Sequence, residues 1–298
     1  YVKSVKLPMV IKANGLAEGK GVVVAQTQME AEQAVRKMLE NRAFGEAGTI
    51  VVIEEYLQGE EASFIAMVDG TNILPLASSQ DHKTRDDGDK GPNTGGMGAY
   101  SPAPVITPDI HEQVMQQVMI PTIRGLSSEG LEYRGFLYAG LMIDSKGTPQ
   151  VLEFNCRFGD PETQPILFRL RSDLAELCLK SFDGTLSGAA VEWDSRAALG
   201  VVMASNGYPG NYKKGLKIQG LEKIYDDSVK VFQAGTVINE GQVLTNGGRV
   251  LCTVALGNTV REARVLAYEN VKKIDWDGAI YRRDIGYRAI DRERVSAS

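Results

Sequence analysis

No run of the sequence approaches the roughly 20 apolar residues that a membrane-spanning helix needs. The longest clear apolar runs cover residues 136–143 and 200–204, so the chain is expected to be soluble, with no membrane partner. No basic, then apolar, then small-residue leader precedes Lys3, and secretion is unsupported. Cysteine is scarce too. Cys156, Cys178 and Cys252 are odd in number, far apart and without a CxxC spacing, which argues for reduced thiols in a cytoplasm and against a disulfide framework or zinc site. A basic stripe is also lacking: the net charge is −5 with both signs interspersed, so nucleic acid is not an expected partner. The sequence does not open on methionine. It starts at Tyr1 and reaches an apolar run at 8–11, from which a missing amino-terminal part is expected.

What is present suits a globular protein. With 298 residues, 43% hydrophobic and 24% charged, there is material for about two domains and a sizeable core. Residues 9–13 and 21–25 read as strands around a glycine-rich turn. Thr27 then caps a helix over 28–41, where Ala31, Ala34, Val35, Met38 and Leu39 form one apolar face and Glu30 completes a capping box. A β-branched strand at 50–53 is followed by a hairpin of 62–68 with 72–77 around Asp69-Gly70.

Residues 78–104 are polar, glycine-rich and aperiodic, a loop long enough to be functional. Beyond it come a helix over 111–126, a hairpin of 136–143 with 150–155, and an amphipathic helix over 165–182. The last third changes to strands at 199–204, 229–234 and 249–255 with a helix over 260–271, joined through the Gly/Ser-bearing stretch 183–188. The expected divisions are therefore 1–77, 78–188 and 189–298.

The chemistry concentrates at Val151-Leu-Glu-Phe-Asn-Cys-Arg-Phe-Gly-Asp160. Strand alternation sends Val151, Glu153 and Asn155 to one face and Leu152, Phe154 and Cys156 to a buriable apolar one. Glu153 and Asn155 are then adjacent hard oxygen donors, suited to Mg²⁺ shared with substrate phosphates. Arg157 adds a planar donor fork for an oxyanion. Asp160 and Pro161 resemble the N-cap and first position of a helix. A lone Glu-x-Asn is common on solvated strand faces; what precedes it gives it weight.

Lys12 ends a strand, and Lys20 lies in a loop with Gly15, Gly19 and Gly21, whose backbone N–H groups can approach an anion. This is not a Walker A motif, because three residues separate Gly15 from Gly19 and Gly21 replaces the Ser/Thr. Glu54, Glu55, Tyr56 and Leu57 follow a buried strand and can form a connector whose backbone reads adenine, with Glu60 or Glu61 reaching ribose hydroxyls. A flexible hairpin and a solvated strand end explain the same residues equally simply.

Lysine on a strand, glycine-rich loop with lysine, acidic connector, glycine-rich middle loop and Glu-x-Asn before a turn: this order resembles the ATP-grasp superfamily. Gln80-Asp-His-Lys83, Gly91-Pro-Asn-Thr-Gly-Gly-Met-Gly-Ala-Tyr-Ser-Pro102 and Arg157-Phe-Gly-Asp-Pro-Glu-Thr-Gln164 narrow it, being similar to the phosphoribosylamine–glycine ligase family of purine synthesis. The likeness extends to residues 204–210 and 245–250.

It implies an α+β ATP-grasp fold, with a small lid subdomain over 1–77, a larger antiparallel-sheet catalytic subdomain over 78–188 and a smaller C-terminal α/β domain over 189–298. It also implies ATP and Mg²⁺ or Mn²⁺, the metal on Glu153 and Asn155, phosphates on Lys12 and Lys20, adenine at Glu54, Glu55 and Leu57, and ribose at Glu61. The substrates implied are glycine and 5-phosphoribosylamine, joined through glycyl phosphate by a cytoplasmic monomer or dimer.

Arg157 is the candidate for stabilising the transferred charge, and Asp81 with the backbone of 95–98 for holding the glycine or amine substrate. His82 reads as a surface or hydrogen-bonding residue rather than a base. Two departures from the family stand out. Counting back from Glu153 puts Gly140 where many ATP-grasp enzymes carry a second metal carboxylate, and the family carries an amino-terminal domain ahead of the region at which Tyr1 begins. Another ATP-grasp carboxylate–amine ligase, a nucleotide-binding module without turnover and a P-loop kinase remain as rival readings, the last disfavoured by the motif mismatch.

Overall fold

The structure is a computed structural model that describes residues 1–15, 17 and 21–296. Lys20, expected at the phosphates, lies outside the described residues. The chain splits into two compact units, Tyr1–Gln58 and Gly59–Ser298.

In the first unit, strands β1 (Met9–Ala13), β2 (Val22–Ala25) and β3 (Val51–Glu55) form an antiparallel sheet of order β2-β1-β3, covered by helix α1 (Gln28–Leu39). The expected capping box is present: Thr27 Oγ1 accepts from Glu30 N at 3.2 Å while the Glu30 carboxylate accepts from Thr27 N at 3.2 Å. Met9 and Ile11 from the sheet meet Ala25, Ala31, Ala34 and Met38 in a small core.

The second unit opens on β4 (Glu60–Asp69) and β5 (Ile73–Pro75), the expected hairpin, with Val68 opposite Ile73. The expected boundary at 77/78 therefore differs from the observed one at 58/59. The physical reason is that β4 is buried from Ala62 to Asp69 and pairs over ten residues with β10 (Arg134–Ile143).

Between them lie β6 (Gln80–Asp81), β7 (Thr84–Asp86), β8 (Lys90–Asn93), β9 (Gly98–Ser101), α2 (Pro108–Val114) and α3 (Ile120–Ser128), the two helices joined by a π-helical turn at Met115–Met119. Residues 78–104 are thus not an aperiodic loop, which corrects the expectation. Met97, Ala99 and Tyr100 are fully buried, and β6 and β9 are strands of the carboxy-terminal sheet.

The chain continues through β11 (Pro149–Asn155), α4 (Thr163–Arg169), α5 (Leu174–Asp183), β12 (Ala197–Ser205), β13 (Val229–Gln233), β14 (Thr236–Asn239), β15 (Gln242–Thr245), β16 (Arg249–Gly257), α6 (Val260–Val271), β17 (Ala279–Ile280) and α7 (Tyr287–Ser296). The single helix expected over 165–182 is two. Leu170 turns extended and bridges Trp193, and Asp173 caps α5 by accepting from Ala175 N at 2.7 Å and Glu176 N at 3.2 Å.

Two sheets organise this unit. The four-stranded one, β11-β10-β4-β5, packs one face on α2 and α3 through Phe64, Leu137, Leu141, Val114 and Ile123, and its other face, with Ile65, Met67 and Tyr138, on Ile166 and Leu177 of α4 and α5. The second follows the order β13-β16-β12-β9-β6, with β17 beside β12, and packs on α6 and α7. Among the described residues no helix is long and apolar enough to cross a membrane.

Candidate active site

The expectation for β11 holds for its two polar residues and fails for the apolar ones. Glu153 pairs with Gly140 and Asn155 with Tyr138, so both lie on the face that carries Ser63 and Ile65 of β4. A bulge between Gly140 and Leu141 shifts the register past Leu152 and places Val151 opposite Leu141, on the other face. Because β11 is an edge strand, Phe154 stays 41% exposed and Cys156 is exposed, instead of burying as the alternation had suggested.

Asp160 is likewise not a helix cap. Helix α4 begins at Thr163 behind Glu162, and the Asp160 carboxylate is paired with Arg249 at 2.5 Å. Arg157 is exposed, and its guanidinium donates to the Phe158 carbonyl at 2.8 Å.

Around Glu153 the second unit assembles a polar cluster. On the sheet face, Ser63 Oγ donates to Glu162 Oε1 at 2.6 Å and lies 3.1 Å from the Tyr138 hydroxyl. Strand β6 brings in Asp81, and the following turn brings Lys83, whose Nζ sits 2.5 Å from Glu61 Oε2. Gln80 fixes the approach by donating to the Glu61 carbonyl at 2.7 Å.

Burial pushes the Asp81 carboxyl well above the usual carboxylate range; Lys83 opposes the rise, and Glu162, Glu61 and Glu153 add to it. Burial raises Glu162 as well, with the Ser63 hydroxyl only partly offsetting it. Burial works against the charge on Lys83, but Glu61, Asp81 and Glu153 outweigh it, so its pKa lies above that of an ordinary lysine. Glu162 is 1% exposed, and its Oε2 has no hydrogen-bond partner among the described residues. Sequence reasoning missed Lys83 and Glu162 as site residues. Alternation along 81–83 would have put Lys83 beside Asp81, but Glu162 had read only as the start of a helix.

His82 is not a surface residue. It is 1% exposed, its Nε2 accepts from Gly286 N at 3.2 Å, and its ring lies 5.9 Å from those of Tyr100 and Tyr287. Burial, helped by Arg282 and Arg288, lowers its pKa to about 3, so it is neutral near pH 7 and a poor base.

In the first unit, Lys12 pairs with Glu54 at 2.5 Å, Glu54 and Glu55 end β3, and Leu57 is half-buried just beyond. The described residues contain no group of three or more His, Cys, Asp or Glu arranged to hold a metal. The donors that do converge are the Glu153 carboxylate and the Asn155 carboxamide, whose Nδ2 lies 3.4 Å from Glu153 Oε1. Two hard oxygen donors on one face fit Mg²⁺, which fills its octahedron with water and substrate phosphate rather than with an all-protein cage. A Cβ at Gly140 would lie 3.2 Å from Glu153 Cγ, so a second metal carboxylate on β10 would crowd the first.

A separate cleft of about 510 Å³ is lined by Asp160, Gln164, Val202, Tyr208, Arg249 and Leu251. Arg249 Nη1 also donates to the Gly95 carbonyl at 2.5 Å, and Gly95 N donates to the Tyr208 hydroxyl at 2.9 Å, so part of the 95–98 backbone is held at its edge.

Comparison with known proteins agrees with this arrangement. Residues 1–163 match the family model described as phosphoribosylglycinamide synthetase, ATP-grasp (A) domain, and residues 198–288 match the C domain of the same synthetase. The chain is 63% identical over 294 residues to the phosphoribosylamine–glycine ligase of Allochromatium vinosum, covering 99% of this chain and 69% of the relative. The Vibrio vulnificus ligase of that name is 61% identical, with 99% and 68% covered. Among solved structures, the Thermotoga maritima phosphoribosylamine–glycine ligase superposes with a TM-score of 0.84 at 38% identity, covering 96% of this chain and 70% of that one. The biotin carboxylase domain of the Hydrogenobacter thermophilus 2-oxoglutarate carboxylase shares the fold, with a TM-score of 0.69 at 14% identity and 94% and 60% covered.

Proposed function

Because the chain belongs to the phosphoribosylglycinamide synthetase family of ATP-grasp ligases, we propose that it joins glycine to 5-phosphoribosylamine, giving glycinamide ribonucleotide while ATP becomes ADP and phosphate. The observation that carries the reading is the sheet face on which Glu153 and Asn155 lie beside Ser63, with Asp81 and the Lys83–Glu61 pair converging on it.

The first step forms a bond between a glycine carboxylate oxygen and the γ-phosphorus and breaks the bond from that phosphorus to the bridging oxygen of ADP. The amine nitrogen of phosphoribosylamine then attacks the carbonyl of glycyl phosphate, the bond from that carbon to the phosphate oxygen breaks, and the departing phosphate takes up the proton lost by nitrogen as the amide forms. Catalysis of this kind rests on positioning and charge, without a covalent nucleophile on the protein.

Glu153 and Asn155 are proposed to hold Mg²⁺ or Mn²⁺, which would neutralise phosphate charge during transfer. Lys12 and Lys20 are assigned to the phosphates, Glu54, Glu55 and Leu57 to adenine, and Glu61 to ribose. Arg157 is exposed just past the strand, its guanidinium bonded to the Phe158 carbonyl, and is assigned to the transferred phosphoryl group. Asp81 is assigned to the substrate that carries an amine. The phosphate-binding part is proposed on the unit Tyr1–Gln58, and a carboxy-terminal domain on residues 189–298. A cytoplasmic location is in keeping with the three unpaired cysteines, and a monomer or dimer is proposed with it.

The test supplies ATP, Mg²⁺, glycine and freshly generated phosphoribosylamine to the intact protein and measures glycinamide ribonucleotide and ADP together. Equal amounts of both, dependent on glycine, are expected. Nucleotide binding without glycine-dependent ADP release would instead make the chain a binding module.

A further inference from the structure

The stretch between α6 and α7 encloses a groove of about 470 Å³, lined by Lys272, Ile274, Asp275, Ile280, Tyr281 and Arg283 among others. None of these residues belongs to the polar cluster around Glu153. The groove is preformed. Lys273 N and Ile274 N donate to the Asn270 and Val271 carbonyls, each at 3.1 Å, closing the end of α6. Asp275 exchanges backbone bonds with Gln219 at 2.9 and 3.1 Å, and Ala279 and Ile280 pair with Ser205 and Ala204 of β12. Between Tyr281 and Arg283, the buried Arg282 reaches the Thr84 hydroxyl and Asp89, each at 2.9 Å.

The fold leaves the polar side chains of this groove unused. Lys272, Asp275 and Arg283 are exposed, and among the described residues neither their charged groups nor the Tyr281 hydroxyl has a hydrogen bond or ion pair. Arg282, next in sequence, is the contrast, being held by Asp284, Asp89 and Thr84. One unpaired lysine on a surface is ordinary. Two cations against one carboxylate around a single concavity, in a chain of net charge −5, make a local positive excess. The negative end of α6 is blunted, because the Tyr268, Asn270 and Val271 carbonyls already accept hydrogen bonds. The rest of the lining is apolar or aromatic: Ile274 is 3% exposed, Ile280 is half-buried, and the Tyr281 ring stands 6.3 Å from that of Tyr268. A few convergent polar groups on an apolar concavity of this size are the usual make-up of a small-molecule site.

We infer that this groove binds a small organic anion with an aromatic body, of which an aryl phosphate is the simplest form. Lys272 and Arg283 hold the anionic group, and Ile274, Ile280 and Tyr281 contact the ring. Arg283 supplies a planar fork for two oxygens of the anion and Lys272 a point charge. Asp275 sets the polarity: it repels a second anionic group and accepts from a hydroxyl or amine on the ligand. Inorganic phosphate alone forgoes the apolar contacts, and an uncharged ring forgoes the cations. The site is independent of the ligase reading, since it shares no residue with that site and no bond is made or broken in it.

The experiment titrates the intact protein with phenyl phosphate by calorimetry, alongside inorganic phosphate and phenol, and repeats the titration with K272M, R283M and D275N. For wild type a phenyl phosphate Kd of about 0.1–1 mM is expected, at least about tenfold tighter than for either fragment. K272M and R283M should each weaken it about 3- to 30-fold. D275N should tighten it about 2- to 5-fold, because a like charge is removed, and this opposite sign separates a binding role from a general loss of structure. All three side chains are exposed, so the variants should keep a Tm within a few degrees of wild type. If R283M does not fold, R283Q takes its place with the same expectations. The absence of saturable phenyl phosphate binding below about 10 mM would overturn the inference. So would a Kd that K272M and R283M leave within about twofold of wild type, which places the binding elsewhere. A D275N protein that binds no more tightly, or inorganic phosphate or phenol binding as tightly as phenyl phosphate, overturns it equally.

Discussion

Arg282 is the largest fully buried side chain among the described residues, and replacing it with methionine should unfold the second unit at a markedly lower temperature. Its guanidinium donates to both oxygens of Asp284 at 2.8 Å, to Asp89 at 2.9 Å, and to the Thr84 carbonyl at 3.2 Å and hydroxyl at 2.9 Å. These bonds tie the β7–β8 hairpin to the segment leading into α7. Methionine keeps most of the stem volume, so the loss is mainly electrostatic. Asp89 retains Arg288 and Tyr287, but among the described residues the Asp284 carboxylate keeps only the Gly88 N–H at 2.8 Å.

Removing one partner from a buried ion pair costs about 3–5 kcal/mol, because the other charge is left desolvated and uncompensated. For a unit of this size that corresponds to a fall of roughly 6–20 °C in Tm. Burial pushes Asp284 upward, yet Arg282 and the Gly88 N–H hold it at about 2, so its contribution to stability is present above the ordinary carboxylate range and lost as pH falls through about 2. In R282M that acid-side loss should shift to higher pH. Thermal unfolding followed across pH, with amide exchange over 84–93, measures both effects. A Tm within about 2 °C of wild type would refute the argument, since it would mean that the network contributes no net stability.

Three further outcomes follow from the same structure. E153Q should lose ligase activity by at least about 100-fold while its Tm stays within a few degrees, because Glu153 is exposed on an edge strand; near-normal turnover removes it from the metal site. Asp81 and Glu162 have raised pKa values, so the stability they lend is full below the unfolded carboxylate pKa and is lost as pH rises through their folded values. Denaturant titrations of E162Q should therefore show a shallower decline of stability above about pH 4.5 than wild type, and an unchanged slope would contradict the burial argument. Burial pushes the Cys252 thiol up to about 12, whereas Cys156 is exposed, so a thiol reagent at pH 8 should label Cys156 first and leave Cys252 untouched in the folded protein; mass mapping of early labelling decides it.

What the sequence made legible was local. The Thr27–Glu30 capping box, the β4–β5 and β10–β11 hairpins, the shared face of Glu153 and Asn155 and the position of Gly140 all depend on neighbours within a few residues or on one hairpin register. The misses share a different cause. Strands β6 to β9 are two to four residues long, and β8 and β9 carry glycines and Pro92, so no period could announce them; β9 forms by long-range pairing with β12 and β6 by pairing with β9, while β7 and β8 pair with each other. The bulge at Leu152 flips Val151 without any sign in residue type, and the exposure of Phe154 follows only once β11 is known to be an edge. The break between α4 and α5 was readable in part, since Ser172-Asp173 is an N-cap signal in the middle of the apolar pattern.

Strand β6 is held from two sides although it is only two residues long. It is hydrogen-bonded to β9 at the edge of the carboxy-terminal sheet, with Gln80 opposite Tyr100 and Asp81 opposite Ala99. Just before it, Ser79 exchanges backbone bonds with Ser63 of β4 at 2.8 and 3.1 Å, and Ser79 Oγ donates to the Tyr100 carbonyl at 2.7 Å. Gln80 reaches the Glu61 carbonyl and accepts from the Tyr100 hydroxyl. Residues 79–81 are therefore stitched to both sheets by backbone or buried amide bonds. The separation between Asp81 and Lys83 on one side and Glu61 and Glu153 on the other is set by sheet register, not by side-chain reach. A site fixed in this way tolerates little displacement. A Ser79→Pro replacement, which removes the donor to Ser63, should consequently impair glycine use beyond what its effect on Tm explains, even though Ser79 itself touches no substrate. Comparing its glycine KM with that of R282M at matched Tm loss measures this directly, and equal values would show that the joint between the sheets is only a stability element.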